Sequence, residues 1–88
     1  MRKLKLEDIS YHFLSDNLII NNDVYMVKNF TVAPVNKNYA IITTELIKKN
    51  ETAATKELIF IFDKNEGQLT VQGSPECLID IKPAEVFD

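Results

Sequence analysis

Asp63-Lys64-Asn65-Glu66-Gly67 alternates side-chain oxygens ahead of a glycine, which is how a calcium loop arranges its ligands around a sharp bend. The spacing does not hold. Glycine stands fifth rather than sixth, and the twelfth place is Ser74 rather than a bidentate glutamate, so the stretch reads as a hairpin turn. His12 is the single histidine, which leaves no pair of imidazoles within one chain to hold a metal; beside Tyr11 and Phe13 it reads as a half-buried or surface residue. Cys77, the single cysteine, would need a base and an orienting group to act as a nucleophile. Its place beside the apolar run Leu78-Ile79 reads instead as a small buried hydrophobe. Glu7 and Asp8 read as an exposed carboxylate pair, and with Gly67 and Gly73 as the sole glycines there is no phosphate-cradling loop. The expectation is a protein that is not an enzyme and carries no cofactor or metal.

Nucleic-acid chemistry is the next class to weigh. Arg2, Lys3, Lys5, Lys28, Lys37, Lys48, Lys49 and Lys56 are the cations of the first two thirds, with Tyr25, Phe30 and Tyr39 as stacking platforms. A small β-barrel that binds single strands uses such a basic groove with aromatics. Against it, the formal charge is -3, the one arginine stands at the start, and most aromatics are needed for a core. The charge is also uneven. Residues 1 to 56 hold eight Lys or Arg against six acids, and residues 57 to 88 two against seven, a polarity that reads as a solvated surface.

Apolar residues at 45% and charged residues at 26% are globular values, and 88 residues make one domain with one core. A lone cysteine allows no internal disulfide, and Met1-Arg2-Lys3-Leu4-Lys5 runs into Glu7 and Asp8 rather than an apolar leader. A cytoplasmic setting with no membrane span is expected. In that setting the sequons Asn29-Phe30-Thr31 and Asn50-Glu51-Thr52 are chance matches.

The elements that must position any site are mostly strands. Leu58-Ile59-Phe60-Ile61-Phe62 is apolar on both alternating faces, so it reads as a central strand needing cover on both sides; Gln68 to Gln72 returns from it with Leu69 and Val71 to bury. Val24 to Val27 and Phe30 to Ala33 form another strand, broken by Lys28-Asn29 at a bulge or exposed edge and ended by Pro34; Asn36-Lys37-Asn38 turns it into Tyr39 to Thr44. Asn21-Asn22-Asp23 suits the positive φ of a tight hairpin. Leu78 to Ile81 is a last short strand stopped by Pro83, and residues 83 to 87 form a closing turn or fray.

Two segments carry competing periods. Residues 6 to 20 place Leu6, Ile9, Phe13 and Ile20 at helical spacing, yet Ile9, Tyr11 and Phe13 alternate with Ser10 and His12; the poor helix formers Ser, His, Asp and Asn favour strands. Residues 44 to 57 read as helix or as strand, loop and strand, with Asn50 and the threonines favouring the second.

The expected fold is mainly β: a small antiparallel sheet or barrel-like meander with zero to two short helices, against an α+β two-layer alternative. The expected function is that of a protein-binding module, an inhibitor, adaptor or assembly factor of the kind common among small phage and mobile-element proteins. The alternative is a single-stranded nucleic-acid-binding β-barrel. Docking is expected through a sheet edge or a face near Tyr25, Lys28, Tyr39, Lys48 and Lys49, and unpaired edges also allow pairing between copies.

Overall fold

The computed structural model describes residues 4–48 and 55–83. Among them one helix, α1 (Leu6–Ser15), precedes six strands: β1 (Asp16–Ile20), β2 (Asp23–Pro34), β3 (Tyr39–Lys48), β4 (Thr55–Asp63), β5 (Gln68–Val71) and β6 (Ile79–Pro83). The strands form one antiparallel sheet in the order β5-β4-β3-β2-β1-β6. β1 to β5 thus follow as a meander, and β6 returns to the free side of β1. The protein is mainly β, and its sheet curls until it is nearly closed into a barrel.

The curl follows from chain length. Six strands laid flat would set β5 and β6 about 24 Å apart at roughly 4.8 Å per strand. The segment joining them contains two turns, closed by hydrogen bonds from the N–H of Ser74 to the carbonyl of Val71 and from that of Cys77 to Ser74. Each such turn advances less than about 7 Å, so the segment cannot span the flat distance and the sheet must bend.

Turns form where the residues tolerate them. Asn21 and Asn22 take φ of 49° and 73°, as the β1–β2 hairpin requires. Asp63 Oδ1 accepts from the N–H groups of Asn65 and Glu66, and Gly67 at φ 65° closes the turn by donating to the Asp63 carbonyl. Asn36 Oδ1 does the same for Asn38 and Tyr39 between β2 and β3. Pro34 ends β2, and the register shift between Val27 and Asn29 makes Lys28-Asn29 a β-bulge.

Residues 6–15 correct the expectation of strands there. Leu6, Ile9 and Phe13 lie on one helical face, Glu7 and Asp8 occupy the first turn, and Ser10 and Tyr11 point outward. Asp16 and Asn17, poor helix formers, fall just past the helix and open β1. In the other ambiguous segment β3 and β4 pair as strands, and residues 49–54 between them lie outside the described residues, as does the closing turn expected over 84–87.

The core is the concave side. Ile9 and Phe13 of α1 meet Leu18, Ile20, Tyr25, Ala40, Ile42, Leu46, Phe60, Phe62 and Val71, each no more than 7% exposed. The Phe13 ring stands edge-on to Phe30 and Phe60, with centroids 5.2 and 6.3 Å away. Thr44, the one buried polar residue among those described, donates its hydroxyl to the Leu58 carbonyl at 2.8 Å. The Leu4 N–H donates to the Gly67 carbonyl, so the chain enters α1 from the β4–β5 turn and crosses the concave side to reach β1.

Candidate interaction surface

Strand alternation sends every second residue of β2 to β5 outward. On β3, Ala40, Ile42, Thr44 and Leu46 are at most 1% exposed, so Ile41, Thr43, Glu45 and Ile47 must face the other way. The register then builds outward rows across the sheet. Ala33, Ile41, Ile61 and Thr70 form one row, and Thr31, Thr43 and Ile59 the next. Tyr39 opposite Asp63 bounds these rows at one end; at the other, Asn29, Glu45 and Glu57 form the next row, and Met26, Ile47 and Thr55 continue the outward side beyond it.

No helix or loop among the described residues packs on this side. Sequence alternation in Leu58 to Phe62 led to the expectation of cover on both faces of β4. The concave side buries Phe60 and Phe62, Phe60 against Phe13 of the helix, but Ile59 remains 38% exposed and Tyr39 44%. The convex face therefore has an uncharged centre of isoleucine, alanine and threonine, open to solvent.

Its charged rim is acidic. Glu45, Glu57 and Asp63 occupy outward register positions, and Lys28, the extra residue of the bulge, is the cation beside them. Asn29 Nδ2 donates to Glu45 Oε1 at 2.7 Å. Next to this contact the bulge opens a groove of about 200 Å³ lined by Asn29, Phe30, Thr31, Thr43, Thr44, Glu45 and Glu57. No ion pair to Glu45 or Glu57 is made among the described residues.

The residues expected to bind a partner do not gather at one place. Tyr25 is 6% exposed and belongs to the core, opposite Lys48 in register. Lys48 pairs with Asp23 at 3.7 Å at the far end of β3 from Tyr39, about 30 Å away at roughly 3.3 Å per residue. Tyr39 and Lys28 border the convex face, and Lys49 lies outside the described residues. Glu45, Glu57, Thr43, Ile59 and Ile61 escaped the sequence reading as surface residues. For Glu57, Ile59 and Ile61 the signal was present in the double alternation of residues 57 to 62, but which face stays open depends on which way the sheet curls around its core.

His12 and Cys77 are held by other contacts. His12 Nδ1 donates to Asp16 Oδ2 at 2.7 Å, tying the last turn of α1 to the first residue of β1. Cys77 is half-buried and its Sγ accepts from Asn21 Nδ2 at 3.4 Å, while Asn21 also exchanges backbone and side-chain bonds with Leu78. The length of β1, about 16 Å, separates the two sites. The edge strands are short, with β5 spanning only Gln68–Val71 and β6 Ile79–Pro83. No helix among the described residues is long and apolar enough to cross a membrane. Compared with protein-family models, with curated proteins and with solved structures, the chain matches none.

Proposed function

We propose that this chain is a non-enzymatic protein-binding module, working in the cytoplasm as an inhibitor, adaptor or assembly factor, and that it docks through the convex face of β2 to β5. The observation that carries this reading is the open face itself. Ile41, Thr43, Ile59 and Ile61 sit on the neighbouring strands β3 and β4 with nothing packed over them among the described residues, although Ala40, Ile42, Thr44, Leu46, Phe60 and Phe62 on the other side of the same strands are buried. An uncharged, rigid, β-branched surface presented by a sheet is suited to burial against another chain.

The test is an affinity capture from the cytoplasm of the source organism, or of its host, using the full chain and its Ile59→Asp variant, each with and without nuclease. A stoichiometric protein that survives nuclease and is lost with Ile59→Asp is the expected result. Retention of that protein by the variant would move the docking site off the convex face. Loss of every partner on nuclease treatment would replace this reading with nucleic-acid binding.

A further inference from the structure

We draw no further inference here: the strongest candidate, the open convex face of β3 and β4 with the groove beside Glu45 and Glu57, belongs to the surface already described, and nothing in the structure shows what covers it.

Discussion

The two sides of β3 differ more than any two regions of the sequence would suggest. Inward, Ala40, Ile42, Thr44 and Leu46 are shut off from solvent; outward, Ile41, Thr43, Glu45 and Ile47 alternate with them one for one. Both sets are rich in strand formers, and both belong to the same ladder. What separates them is the curl of the sheet, which encloses one side of the strand in a core that Ile9 and Phe13 of α1 complete. The concave face is where folding free energy is concentrated, and the convex face is apolar surface that folding leaves unused.

Substitutions should therefore divide by face. Phe60→Ala removes a fully buried ring that touches Phe13, and is expected to destabilise by about 3–5 kcal/mol in urea unfolding. Ile59→Thr, one residue away on the other face, should change the same midpoint by less than about 0.5 kcal/mol. Equal losses at the two positions would mean that something covers the convex side.

The attachment of the helix can be loosened more gently. Asp16→Ala deletes the carboxylate that accepts from His12, and a cost of about 1 kcal/mol is expected, again from urea unfolding, with the sheet intact by circular dichroism. A neutral result would show that Ile9 and Phe13 alone hold α1 in place.

The smallest effect has the opposite sign. Glu57→Gln removes one of two directly opposed carboxylates and should stabilise the fold by a few tenths of a kcal/mol at low salt, with the gain fading as salt rises. A destabilised Glu57→Gln variant would mean that the carboxylate has a structural partner.

Much of the strand plan could be read directly. Pro34 ending β2, the bulge at Lys28-Asn29, the asparagine turn at 21 to 22 and the Asp63 to Gly67 turn all follow from backbone rules that act over a few residues. Residues 6 to 15 were misread because one segment carried both a 3.6 and a 2.0 period. Of the poor helix formers that tipped the reading toward strands, Asp16 and Asn17 stand beyond the helix end, whereas Ser10, His12 and Ser15 lie within it. Among the candidate binding residues Tyr25 was legible as a strand aromatic but not as an inward one, since parity along β2 is reset by the bulge and by where the helix packs.

The sequence by itself determined an acidic, mainly antiparallel chain with its turns in place and no spacing for metal or nucleophilic chemistry, because those properties depend on residue type and short-range geometry. The tertiary structure decided which side of the sheet is inside. Ile59 and Phe60 are equally apolar neighbours, and the direction in which the sheet curls around its core, with Ile9 and Phe13 of α1 inside it, leaves one exposed and the other buried. It also set Glu45 against Glu57, twelve residues apart in sequence, since register between strands is fixed by the packing of the whole core.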